Sequence, residues 1–279
     1  DAGKLLAHRL NIPCITVPLS AATCAGWTAL SNLYSPSGAF ERDIALNCCP
    51  ELLIFDHNFV RSAPKRMLAS GIADALAKWY EASVSSSNST DGLVQHAVQM
   101  ARVLRDQLLI DADKAMNYPN SEEWIRVAEG CALTAGLIGG IGGPRCRTVA
   151  AHAVHNGLTQ LNSCSNFLHG EKVGYGILVQ LKLEETIAGN NLSGQARRQL
   201  LPFLRKLNLP VSLAGLGLEK APLVDLNKAC QFACKEDSDL HNLPFKVNSS
   251  DLLEALVGAG QDKKYTTKSK ITVTSTKAH

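Results

Sequence analysis

Residues 63–82 read APKRMLASGIADALAKWYEA, and this stretch decides the fold. Met67, Leu68, Ile72, Leu76 and Trp79 recur at three- and four-residue spacing, the period of a helix with one face turned to a core. Helical patterns then follow one another around Gly92 to Leu109, Glu122 to Leu137, Thr148 to Leu161, Gly170 to Ile187, Gly194 to Leu207, Leu223 to Cys234 and Ser250 to Val257. Residues 63–262 are therefore expected to form an all-helical unit.

Upstream the pattern changes. The first ten residues read as the end of an amphipathic helix, and the β-branched, proline-flanked run Ile12 to Pro18 suits a buried strand. Leu52 to Asp56 reads as a second strand. Between them, Tyr34-Ser35-Pro36-Ser37-Gly38 marks a turn joining two short extended pieces. Residues 1–62 are thus an α/β part, and the fold class is α/β plus all-α. Two low-complexity pieces, Ser83 to Gly92 and 263–279, are too polar to bury much surface and are expected to be mobile, the second as a disordered tail.

With 279 residues, 46% of them hydrophobic, the chain is long enough for one large core or two smaller ones. A balance of 28 basic against 25 acidic residues, with basic concentration only in the tail around Lys263, Lys264, Lys268, Lys270 and Lys277, argues against nucleic-acid binding. No apolar run approaches the length that spans a bilayer, and DAGKLLAHRL lacks a signal-peptide core, so no membrane partner is expected. The nine cysteines include no CxxC pair and sit mostly in apolar stretches, which reads as reduced, buried thiols of a cytoplasmic protein.

Three polar features stand out against apolar surroundings. Asp74 lies beside Ile72, Ala75, Leu76 and Trp79, where an unpaired carboxylate carries a desolvation penalty unless a cation or several donors meet it. His152 and His155 are three residues apart and project from one side of a helix, and His169 opens the next helical pattern. One carboxylate and two imidazoles suit a borderline divalent ion with positions left open for substrate. The plainer alternative is that each histidine is satisfied by ordinary packing and that Asp74 pairs with a lysine. The glycines of GGIGGPRC lack the lysine and hydroxyl residue of a phosphate loop and read as a close-packed turn between helices, while Cys230 and Cys234 read as core.

The segments GIADALAKWYEA (71–82), AAHAVHNGLT (150–159) and HGEKVGYGILVQL (169–181) resemble the metal-site segments of the glycerol dehydrogenase branch of the iron-containing alcohol dehydrogenase superfamily. The likeness continues through PLSAATCAGWTALSNLYSPSGAF (18–40) and DLHNLPFKVNSSDLLEAL (239–256), so it covers about residues 1–260. It implies a dehydroquinate synthase-like architecture, the remnant of a Rossmann-like nucleotide-binding domain followed by a helical metal-binding domain. It also implies that the family's glycine-rich phosphate-binding turn would precede Asp1, and hence an N-terminally truncated chain.

By the same resemblance the metal ligands and catalytic residues fall on Asp74, His152 and His169, holding one divalent ion, zinc by preference and iron as the second choice, with His155 as a neighbour. Contacts to NAD or NADP fall on Asp1, Thr28, Leu30 and Tyr34, whereas Leu19 and Ala22 stand where relatives carry hydroxyl residues. Cys24 occupies a substrate position that is an aspartate in polyol-oxidising members, and Thr23 to Trp27 is similar to hydroxycarboxylate dehydrogenases. The implied activity is oxidation of the CH–OH group of a small polyol or 2-hydroxy acid, or the reverse reduction, by a homo-oligomer acting on a small molecule. Glycerol oxidation proper, a catalytically inactive remnant, and a lyase or synthase of related fold stand as alternatives.

Overall fold

The computed structural model describes residues 1–261, without the side chains of Pro144 and Arg145. The expected tail lies outside the described residues. The chain begins with α1 (Ala2–Leu10), which ends on Asn11 in the left-handed conformation, and then enters β1 (Ile15–Thr16). An antiparallel hairpin follows, β2 (Leu30–Tyr34) and β3 (Phe40–Ala45), turning at Gly38, whose φ of 82° is open to glycine. Strand β4 (Leu52–Leu53) pairs in parallel with β1. The strand content of the described residues is therefore two separate two-stranded sheets.

The expectation of a buried strand over Ile12 to Pro18 does not hold. Only Ile15 and Thr16 pair, and Ile12, Ile15 and Val17 are exposed, as are Leu52 and Ile54 alongside. A strand is buried by what packs on it, and among the described residues β1 has β4 as its one strand neighbour.

Helices build the remainder: α2 (His57–Ser62), α3 (Lys65–Ser85), α4 (Gly92–Asn117), α5 (Glu122–Glu129), α6 (Ala135–Gly142), α7 (Ala150–Leu158), α8 (His169–Thr186), α9 (Asn191–Lys206), α10 (Leu223–Ala233) and α11 (Ser249–Gly258). Five of these starts carry polar caps. The side chains of Asp56, Asp91, Ser121, Asn190 and Asn248 accept from backbone N–H groups of α2, α4, α5, α9 and α11. The core runs through α3, α4, α6, α7 and α8, with Ile72, Leu76, Leu104, Leu108, Ile138, Leu158, Ile177 and Leu178 fully buried.

Three details depart from the sequence reading. The single helix expected over Glu122 to Leu137 is α5 and α6 joined by a π-helical turn at Gly130–Thr134, where Gly130 lies so close to α4 that a Cβ there would meet Leu104 Cδ1 at 2.9 Å. Within that joined run, Glu122–Gly142, an 18-residue window has a mean hydropathy of 1.2 and reaches the length of a membrane span, contrary to the expectation. Half of that window is buried against the protein and the first turns of the run carry Glu122, Glu123, Arg126 and Glu129, as suits a core helix. Finally, the serine-rich piece at 83–92 is held at both ends: Ser83 to Ser85 complete α3, Ser86 is buried, and Asp91 caps α4.

Candidate metal centre

Asp74 sits in the middle of α3, His152 in the first turn of α7, and His169 at the first position of α8. Close backbone packing brings these three helices together. A Cβ on Gly170 would lie 1.8 Å from the Ser70 carbonyl oxygen, and one on Gly176 would lie 2.3 Å from that of Ala151, so neither site admits a side chain without moving a helix. The start of α8 is pinned further by Glu171. Its carboxylate accepts from the Leu168 N–H at 2.7 Å and takes both arms of Arg66, Nε at 2.6 Å and the terminal nitrogen at 2.7 Å.

One donor atom from each of Asp74, His152 and His169 lies within 4.8 Å of the others. Asp74 Oδ1 is 3.3 Å from His152 Nε2 and 3.5 Å from His169 Nε2. Neither ring is aligned to donate to it, and Oδ1 is a buried oxygen without a hydrogen-bond partner. Ligands about 2.1 Å from a tetrahedral ion stand about 3.4 Å apart, so the spacing and the orphaned oxygen both fit a metal. Burial works against the Asp74 carboxylate, but the Lys78 ammonium and the two imidazoles bring its pKa well below the usual range.

Glu81, two helical turns after Asp74, holds His152. Its Oε2 meets His152 Nδ1 at 2.6 Å, while Oε1 accepts from the backbone N–H of Val149 at 2.7 Å and of His152 at 3.0 Å, which caps α7 as well. In the metal-free protein burial disfavours the His152 cation, yet the Glu81 and Asp74 carboxylates push its pKa up to about 9. His155 is more than a neighbour. Its Nε2 lies 3.0 Å from His169 Nδ1 and its Nδ1 lies 2.8 Å from Asn156 Oδ1. Burial and the adjacent positive groups hold the His155 pKa well below normal, so the ring is neutral. A neutral His155 that donates from Nδ1 to Asn156 accepts from His169 Nδ1–H and leaves the His169 Nε2 lone pair facing Asp74.

These groups open into a cavity of about 320 Å³. Asp1, Thr28, Leu30 and Cys24, singled out from the sequence, line it with Asp74, His152 and His169. Tyr34 does not; it stands at the end of β2, edge-on to Phe40 at 5.8 Å. The sequence reading missed Lys4, Lys78, Glu81 and Arg147. Lys4 is buried and its ammonium donates to the carbonyls of Ala25, Thr28 and Leu30 while pairing with Asp1 at 3.2 Å, so one lysine ties three expected cofactor positions together. Of the nine free cysteines, Cys24, Cys131, Cys146, Cys164 and Cys230 are buried and Cys14 and Cys234 partly so, whereas Cys48 and Cys49 are exposed, against the expectation of buried thiols.

No protein-family profile matches the chain. It is 54% identical over 257 residues to an uncharacterized oxidoreductase of Synechocystis sp., covering 92% of this chain and 67% of that one. To the glycerol dehydrogenase of Pseudomonas putida it is 34% identical, covering 94% of this chain and 71% of the relative. To hydroxycarboxylate dehydrogenase A of Escherichia coli it is 33% identical, covering 91% and 70%. The crystal structure of glycerol dehydrogenase from Schizosaccharomyces pombe superposes with a TM-score of 0.82 at 31% identity, over 92% of this chain and 65% of that one. Solved structures of iron-containing alcohol dehydrogenases share the fold at about 20% identity. A fold shared with glycerol dehydrogenase at a TM-score of 0.82, together with identity above 30% across most of the chain, is what common descent leaves behind: the chain belongs to the glycerol dehydrogenase family of oxidoreductases.

Proposed function

We propose that the chain is a divalent-metal- and NAD(P)-dependent oxidoreductase of the CH–OH group of a small polyol or 2-hydroxy acid, working in reverse on a hydroxyketone or 2-oxo acid. The observation that carries this reading is the convergence of Asp74, His152 and His169 around a buried carboxylate oxygen that has no donor of its own. A carboxylate with two imidazoles suits zinc, with iron as the second choice. An ion held there would supply Lewis-acid polarisation of an alcohol or carbonyl oxygen.

The chain's own residues prepare the site for that ion. Glu81 fixes the His152 ring with Nε2 turned to Asp74, and neutral His155 fixes the tautomer of His169. Cys24, Trp27 and Gly136 supply an apolar wall to the cavity, which limits water around a reacting oxygen. Asp1, Thr28 and Leu30 lie along the same cavity and support a nicotinamide nucleotide approaching from the side of the β2–β3 hairpin.

Metal analysis of the purified chain after loading with zinc or iron tests the reading, joined to an NAD(P)-linked assay with glycerol and 2-oxobutyrate. About one ion per chain is expected, with most of it lost in His169→Ala, because two remaining ligands hold zinc poorly. A wild-type chain that retains no ion above background would refute it.

A further inference from the structure

Two cations line the cavity without a hydrogen-bond partner among the described residues. Lys78 leaves α3 one turn after Asp74, on the same face of the helix. The residue is only 7% exposed, yet it lines the cavity. Among the described residues its ammonium makes no hydrogen bond and has no carboxylate within 4.0 Å. Arg147, in the turn between α6 and α7, lines the same cavity and makes no hydrogen bond or ion pair among the described residues. Asp74 and Glu81, on the same helix as Lys78, favour its charge from a distance, but a buried ammonium with no hydrogen bond from its three protons keeps donors free for a ligand.

The rest of the lining does not supply that ligand. Asp74 faces the two imidazoles, Asp1 is engaged by Lys4 at 3.2 Å, and Asp239 accepts from the Thr148 hydroxyl at 2.7 Å. Asp43 lies on the β2–β3 hairpin, with neither cation as an ion-pair partner. The wall nearest in sequence to the hairpin is Cys24, Ala25 and Trp27, a surface of thiol, methyl and indole.

We infer that Lys78 and Arg147 form a carboxylate-binding pair beside the Asp74, His152 and His169 cluster, and that the chain selects a substrate whose carboxylate adjoins the reacting alcohol or carbonyl carbon. The 2-hydroxy and 2-oxo acids are the class with that arrangement. An ammonium and a guanidinium in one cavity offer charge-assisted hydrogen bonds to both oxygens of a carboxylate, whereas a polyol offers only neutral hydroxyls and gains no such attraction. The inference rests on the cluster marking where the reacting oxygen sits.

Isothermal titration calorimetry on the zinc-loaded full chain tests it with two ligands of one carbon skeleton, 2-oxobutyrate and the neutral 1-hydroxy-2-butanone, and with zinc content measured on the same samples. Wild type is expected to bind the acid at least about tenfold more tightly than the neutral ketone, the worth of one charged hydrogen bond. Lys78→Met, which keeps length and removes charge, is expected to weaken the acid by about tenfold or more and leave the ketone within about twofold, in samples matched for zinc content. Arg147→Gln, in a partly exposed turn, is expected to act in the same direction and serves if Lys78→Met does not fold. Equal affinity of wild type for both ligands, absence of binding by either, or variants that weaken both ligands alike would overturn the pair. A wild type that takes up no zinc speaks against the metal reading instead, and the same two ligands on the zinc-free chain then judge the pair alone: a preference for the acid that the variants lose supports it, and no preference overturns it.

Discussion

Glu81 serves two elements with one carboxylate, since one oxygen meets the His152 ring and the other accepts two backbone N–H groups at the start of α7. Replacing it with Gln keeps the shape and removes the charge, and zinc affinity is expected to fall about 10- to 100-fold in competition with a chromogenic chelator. His155→Asn, which removes the partner of His169 Nδ1, should lose affinity by a smaller factor than His169→Ala in the same titration. Protons compete for the site as well. With a metal-free pKa of about 9, His152 is protonated at neutral pH, so an ion must displace that proton. Zinc affinity is therefore expected to rise about tenfold per pH unit from neutrality to about pH 9 and then level off. The same shift sets a stability window: a histidine whose folded pKa lies above its unfolded value of 6.5 stabilises the metal-free chain fully below 6.5 and ceases to as pH passes 9. Thermal denaturation of the metal-free protein across that window should show Tm falling with pH, and an unchanged Tm in the His152→Ala variant over the same range would identify the group.

At the scale of elements, the helices were legible because α3, α4, α7, α8, α9, α10 and α11 each follow the 3.6-residue period; the ends of α7 to α11 lie close to those expected, whereas α4 runs on past Leu109 to Asn117. The π turn was not, since an extra residue in one turn hardly disturbs that period. The strands were misjudged because a two-residue strand owes its burial to neighbours, which composition does not encode. Asp74 was visible as a carboxylate on an apolar face. Lys78 and Glu81 fall four and seven residues after Asp74, on the same face of the helix, and that spacing was the available signal for them. Lys4 had no such signal, since its carbonyl partners come from a turn far along the chain. Packing between α3 and α8 allows a direct check. Gly170→Ala, forced against the Ser70 carbonyl, is expected to cost about 3 kcal/mol in denaturant unfolding and to lower zinc content. Gly3→Ala in α1, where nothing lies within 4 Å of the added Cβ, should be neutral or stabilising by up to about 1 kcal/mol.

On the scale of the whole molecule, the two ends differ in what they leave bare. The helical part buries its core stripes and leaves scattered apolar side chains such as Val103, Ile110 and Leu192 exposed, while Ile12, Ile15, Val17, Leu52 and Ile54 form an exposed apolar row on the α/β part. Such a row is expected to bind the dye ANS in the native chain, and the double change Ile15→Thr with Ile54→Thr should reduce the fluorescence at unchanged zinc content.

The donors Asp74, His152 and His169 come from three separate helices, the outer two nearly a hundred positions apart in the chain. An ion meeting the unfolded polypeptide finds at most scattered single groups, so tight capture has to await the docking of α3 with α7 and α8. Uptake of zinc during refolding would then act as a stopwatch for the last long-range association, trailing the growth of helical circular dichroism.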